Sequence, residues 1–128
     1  MSVYPSAKLI ILCTNPDELI EIAKRELKGE WNIIRGSHYF VEFLMSGVSK
    51  GKGLIDLCEH FGYELKEVVA FGDGDNDKEF LEVAGWGVAM KNAGALAKHS
   101  ANEVTEYTND EDGVAIHLEK MEDLNLFA

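Results

Sequence analysis

A mixed α/β fold is predicted by two observations on the sequence. The opening stretch reads strand, helix, strand, strand, and from Ser49 onward helix-period segments alternate with short apolar runs. That alternation is the rhythm of parallel strands with covering helices. With 128 residues, 46% of them hydrophobic, the chain has enough apolar material for a packed core, which excludes a disordered or collagen-like polymer.

Lys8 to Leu12 predicts a strand. Asn15-Pro16 then opens a helix, with Asn15 capping free N–H groups and Pro16 supplying a preset φ at the first helical position. Leu19, Ile20, Ala23 and Leu27 share one face, Glu21, Lys24, Arg25 and Lys28 point elsewhere, and Gly29 is expected to close the helix. Trp31–Arg35 and Tyr39–Met45 are expected to pair across a turn at Gly36-Ser37. The first 46 residues therefore read βαββ.

Ser49 can cap a helix with the apolar stripe Leu54, Ile55, Leu57, Cys58 and Phe61, which Gly62 ends. Val68–Phe71 is a short apolar run suited to a central parallel strand. After the polar run Gly72-Asp73-Gly74-Asp75-Asn76-Asp77 come a short helix with Phe80, Leu81, Val83 and Ala84 inward, a strand Trp86–Met90, a helix from Ala93 to His99 and a strand near Val104. A final helix, with Asn109 and Asp112 spaced as a capping box, is expected to bury Val114, Ala115, Leu118 and Met121. His60, His99 and His117 fall on predicted helices as structural or solvated residues.

Charge narrows the function classes. With 23 acidic against 12 basic side chains, a net charge of -11, the expected partners include neither nucleic acid nor an anionic membrane surface. The aliphatic run Leu9–Leu12 is far shorter than the roughly 20 residues of a membrane span and has no signal-peptide layout. A cytoplasmic protein is expected. Cys13 and Cys58 each sit in an apolar pattern, as buried reduced thiols do.

Two segments are candidates for chemistry. The loop after Val68–Phe71 leaves the carboxyl end of its strand, where open α/β sheets place ligands. Its Asp73, Asp75 and Asp77 repel unless protonated, splayed or joined by a cation, and Mg²⁺, which takes one or two carboxylates with waters and phosphate oxygens, would resolve the conflict. An acidic helix N-terminus, with Asp75 or Asn76 as a cap, explains the same residues without a ligand. An EF-hand does not fit: Lys78 stands where glycine is needed and Ala84 where the bidentate glutamate is needed. The other segment, Val48-Ser49-Lys50-Gly51-Lys52-Gly53, places lysines against the helix dipole, a conflict that a phosphate group at Lys50 would relieve. Lys52 reads as a solvated side chain, and no P-loop is present.

Gly47-Val48-Ser49-Lys50-Gly51, then Gly72-Asp73-Gly74-Asp75-Asn76-Asp77, then Gly87-Val88-Ala89-Met90-Lys91-Asn92-Ala93 and Thr108-Asn109-Asp110-Glu111-Asp112-Gly113-Val114, resemble in order the later motifs of the Cof-type phosphatases of the haloacid dehalogenase (HAD) superfamily. The resemblance implies a partial HAD-like Rossmannoid core over residues 47–128, preceded in residues 1–46 by a βαββ remnant of an α/β cap. It implies Mg²⁺-dependent hydrolysis of a small phosphate monoester through an aspartyl-phosphate. By the same resemblance Asp73 would ligate Mg²⁺, Asp77 would support Lys50 or metal-bound water, Asn76 would touch phosphate or orient the metal shell, and Lys50 would neutralise phosphoryl charge.

Family members open with a strand ending in D-x-D, whose first aspartate attacks phosphorus; here the first apolar strand ends in Cys13-Thr14-Asn15. The chain is therefore expected to be a truncated or separately encoded C-terminal part, inactive without the missing segment, and to pair with that segment or self-associate through an exposed strand edge. The alternative is a non-catalytic binding or regulatory protein that retains the fold. A third reading is an α/β domain whose acidic loop only caps a helix. Substrate identity is not encoded in any motif above.

Overall fold

The computed structural model describes residues 8–29 and 31–124. The chain divides between Val48 and Ser49 into two compact units.

In the first unit β1 (Leu9–Leu12), α1 (Pro16–Glu26), β2 (Trp31–Arg35) and β3 (Phe40–Met45) follow the predicted βαββ order. β3 is central and antiparallel to both neighbours, giving the order β1-β3-β2. The register sets Ile11 opposite Val41 and Ile33 opposite Phe43. Since alternate strand residues share a face, these four present one apolar surface, onto which Leu19, Ile20 and Ala23 of α1 pack. Asn15 caps α1 through Oδ1, which accepts from the Glu18 N–H at 3.4 Å, and Pro16 occupies the first turn. Arg35 Nη1 reaches Asp17 Oδ1 at 2.9 Å and ties β2 to the start of the helix. The helix ends earlier than its pattern predicts. Leu27 is already extended (ψ 104°), and its N–H closes on the Ala23 carbonyl at 2.9 Å. Leu27 consequently leaves the buried face and stands 43% exposed.

The second unit contains α2 (Lys50–Phe61), β4 (Val69–Gly72), a 3₁₀ turn Asp75–Asp77 running into α3 (Lys78–Val83), β5 (Trp86–Ala89), α4 (Ala95–Ser100), β6 (Glu103–Val104) and α5 (Gly113–Asp123). Its sheet is parallel, in the order β4-β5-β6 with β4 outermost among the described strands. Ser49 caps α2 by accepting from the Lys52 N–H at 3.0 Å, and Gly62, at φ 76°, ends the helix in the left-handed conformation that glycine adopts without strain. The core contains Leu54, Cys58, Ala70, Leu81, Ala84, Ala89, Met90, Ala93 and Ala97. Its many alanines let α3 and α4 lie close to the strands. Both cysteines are free, Cys58 buried and Cys13 half-buried.

Two sequence expectations for this unit are corrected. Leu57 and Phe61 are 54% and 63% exposed, so only the Leu54–Cys58 line of α2 enters the core. The start and buried face of α5 also differ. Asp112 adopts a left-handed conformation (φ 56°), and the capping interaction lies one residue earlier than predicted, with Glu111 Oε2 accepting from the Thr108 N–H at 3.0 Å. The phase of α5 follows from that start: Gly113, His117 and Met121 are buried, while Val114, Ala115 and Leu118 are exposed. No helix among the described residues is long and apolar enough to cross a membrane.

Candidate active site at the end of strand β4

The residues singled out in the acidic loop do not crowd together. β4 ends at Gly72 and the chain turns at once into the 3₁₀ turn, which sends the three carboxylates in different directions. Asp77 points back under the turn and is 3% exposed. Its Oδ2 accepts from the N–H groups of Asp73 and Gly74, each at 2.9 Å, and its Oδ1 pairs with the Lys50 ammonium. Asp75 turns toward Gly94, where its Oδ1 lies 2.9 Å from the position a Cβ would take. Asp73 is exposed, and its side chain makes no hydrogen bond or ion pair among the described residues. Splaying and one lysine thus resolve the repulsion expected from the spacing.

Gly72 is required here by close approach. A Cβ at that position would stand 2.7 Å from the Asp77 Cβ, so only glycine lets Asp77 fold beneath the strand end. Burial by itself would raise the Asp77 carboxyl. The Lys50 ammonium and the two backbone N–H groups outweigh it and hold the group below the ordinary aspartate value of 3.8. Lys50 enters from the first turn of α2 with its side chain half exposed. That answers the dipole conflict seen in the sequence, because the lysine's counter-charge is Asp77. Lys52 pairs with Asp56 one helical turn along and remains on the surface.

Lys50, Asp73 and Asp77 share an open cleft of about 490 Å³, with Gly72 at its base and Phe71, Phe80, Met90, Asn109 and Val114 completing its lining. This falls in the range of small-molecule sites, about 300–1,000 Å³. Asn76 is half-buried in the same turn, close to Gly74, and does not line the cleft. Asn109, a cap in the sequence pattern, forms part of the wall; its place in the Thr108–Val114 segment is the available sequence signal. The Phe71 wall rests edge-on against the His117 ring, centroids 5.7 Å apart. His117 is 4% exposed, and its Nε2 is buried without a hydrogen-bond partner, 3.6 Å from Glu103 Oε2.

The donor set is compatible with a hard divalent cation held largely by water and substrate oxygens. Among the described residues no group of three or more His, Cys, Asp or Glu converges as a protein-only cage. What the cleft offers is one uncommitted carboxylate, Asp73, beside a second already engaged. Mg²⁺ binds in that manner, through one or two carboxylates with waters and substrate oxygens filling the remainder; a zinc site or an EF-hand calcium site needs more protein ligands.

Residues 5–118 match the family of haloacid dehalogenase-like hydrolases. The chain is 44% identical over 82 residues to the 5-amino-6-(5-phospho-D-ribitylamino)uracil phosphatase YitU of Bacillus subtilis, covering 64% of this chain and 30% of that protein. Among solved structures, a haloacid dehalogenase-like hydrolase from Bacteroides thetaiotaomicron superposes with a TM-score of 0.78 at 38% identity, over 93% of this chain and 45% of the other. A sugar phosphatase of HAD subclass IIB superposes with a TM-score of 0.74 at 30% identity, over 92% of this chain and 43% of the other. The chain spans less than half the length of each of these relatives.

Proposed function

Because the chain belongs to the haloacid dehalogenase-like hydrolases, we propose that it is the C-terminal part of a Cof-type, Mg²⁺-dependent phosphatase for small phosphate monoesters, residues 1–46 ending a cap and residues 47–128 ending the core. The observation that carries this reading is the Lys50–Asp77 pair at the carboxyl end of β4, in one cleft with the uncommitted carboxylate of Asp73. Phosphoryl transfer needs little from a protein besides positioning and charge compensation. Here Asp73 would hold Mg²⁺, which polarises phosphoryl oxygens and offsets their charge. Lys50 would take a non-bridging oxygen while remaining oriented by Asp77, and Asn76 would steady the turn that aims Asp73. Asp77 has both oxygens engaged, so it acts through Lys50 and metal-bound water more readily than as a direct ligand.

In this reading none of these groups is the attacking nucleophile, since Asp73 is given to the metal. The attacking aspartate belongs to a segment outside these 128 residues, which pairs along the outer edge of β4; without it that edge favours self-association. Reduced cysteines and the acidic surface suit a cytoplasmic setting. The experiment is a thermal melt of the 128-residue chain with Mg²⁺, together with a p-nitrophenyl phosphate assay. Mg²⁺ raises the melting temperature of the wild type and not of Asp73→Asn, and turnover is absent in both. Mg²⁺-dependent turnover that disappears in Asp73→Ala would refute the assignment of the nucleophile to another segment, and an unchanged melting temperature would refute the metal site.

A further inference from the structure

Loops leave the carboxyl ends of the parallel strands β4, β5 and β6, and each is bonded to the next. The loop that carries Asp73 is held from the β5 side: the Met90 N–H donates to the Gly72 carbonyl and the Gly94 N–H to the Asp73 carbonyl, both at 2.9 Å. Between those two donors the chain closes a turn, in which the Ala93 N–H reaches the Met90 carbonyl at 2.8 Å. The N–H of Asp73 is engaged as well, on Asp77 Oδ2 at 2.9 Å. With the peptide groups on both sides of its Cα held, the direction in which Asp73 projects its side chain is set by the Met90–Gly94 turn and Asp77 together.

The turn in turn is held by one side chain at the end of β6. Thr105 is 3% exposed. Its N–H donates to the Ala89 carbonyl at 2.9 Å, continuing the strand pairing past Val104. Its Oγ1 accepts from the Lys91 N–H at 2.9 Å, inside the turn, and donates to the Tyr107 carbonyl at 2.6 Å. The hydroxyl thus both donates and accepts, each time with the backbone of a different loop. Burial alone asks for no hydroxyl here, since valine has nearly the same shape; what valine lacks is the bond to each loop. Thr105 does not line the cleft, so its influence on a ligand there passes through the turn.

A metal-binding carboxylate is only as well aimed as the groups that support it. We propose that Thr105 is a positioning residue for Asp73, its hydroxyl fixing the Met90–Gly94 turn and, through it, the aim of the metal-binding carboxylate. The proposal rests on the reading of Asp73 as the Mg²⁺ ligand and adds to it a residue that touches neither metal nor substrate.

The test joins calorimetric Mg²⁺ titration to amide hydrogen exchange followed by NMR in metal-free protein, on the 128-residue chain. Thr105→Val should weaken Mg²⁺ binding by about five-fold, the worth of one hydrogen bond, and speed exchange at Lys91 and Gly94 while the amides of α2 stay protected. Thr105→Ala should do the same, so that the result does not depend on how valine packs. Thr105→Ser, which keeps the hydroxyl, should bind Mg²⁺ within about two-fold of wild type. Unchanged Mg²⁺ affinity in Thr105→Val and Thr105→Ala, weakened affinity in Thr105→Ser, or exchange quickened equally through α2 would overturn the positioning role. No Mg²⁺ binding by the wild type would instead remove the metal assignment of Asp73, and the positioning role with it.

Discussion

The chain has two acidic loops of similar composition, Asp73–Asp77 and Asn109–Asp112, and they do different work. In each, a carboxylate three or four residues on folds back onto backbone N–H groups: Asp77 onto Asp73 and Gly74, Glu111 onto Thr108. Each carboxyl is held below its ordinary value, Glu111 chiefly by the Thr108 N–H and hydroxyl. The difference is what surrounds them. Asp77 is buried and carries a lysine from another element, whereas Glu111 is exposed and closes a local turn. Acidity and turn geometry are common to both loops. Burial together with an imported cation distinguishes the one at the charged end of the cleft.

Asp77→Ala should have the largest effect on this comparison. It strands two backbone N–H groups and an ammonium, and should cost about 2–4 kcal/mol in urea unfolding, reduced from the fully buried case because Lys50 is half in water. Glu111→Ala, the matched change, should lower the urea midpoint far less, as loss of an exposed local cap does. Equal effects would break the distinction. Next is Gly72→Ala, whose added methyl meets the Asp77 Cβ at 2.7 Å; overpacking of this kind costs about 1–3 kcal/mol, and the double variant with Asp77→Gly, which removes that Cβ, should cost less than the sum of the two single changes.

The smallest effect, and the sharpest, is on pH. The folded Asp77 carboxyl titrates below 3.8, so its contribution to stability is complete above that value and is lost as pH falls through the depressed folded value. Unfolding measured between pH 6 and pH 2.5 should show a steeper decline for wild type than for Asp77→Asn. Identical slopes would place the Lys50 pairing elsewhere.

Much of the fold is legible because its signals are local. Asn15, Pro16, Ser49 and Gly62 act on backbone groups within a turn of themselves, and the apolar run before Gly72 needs no knowledge of its neighbours. The acidic loop is likewise found by its position after a strand. What escapes the sequence depends on tertiary contact. Leu57 and Phe61 fit the helical stripe of α2, yet the alanine-rich core accepts only Leu54 and Cys58. The phase of α5 depends on the left-handed Asp112, and a single residue's shift moves Val114 and Leu118 outward and His117 inward. Asn109 joins the cleft wall from a loop that is tied to Asn92, seventeen positions away.

The buried imidazole against which Phe71 leans gives the cleft wall an unusual footing. A side chain chosen for rigidity alone would be hydrocarbon at position 117, filling the same space with no nitrogen left wanting a partner. Keeping a polar ring there leaves the aromatic wall resting on the side chain that holds a buried nitrogen with no hydrogen bond among the described residues.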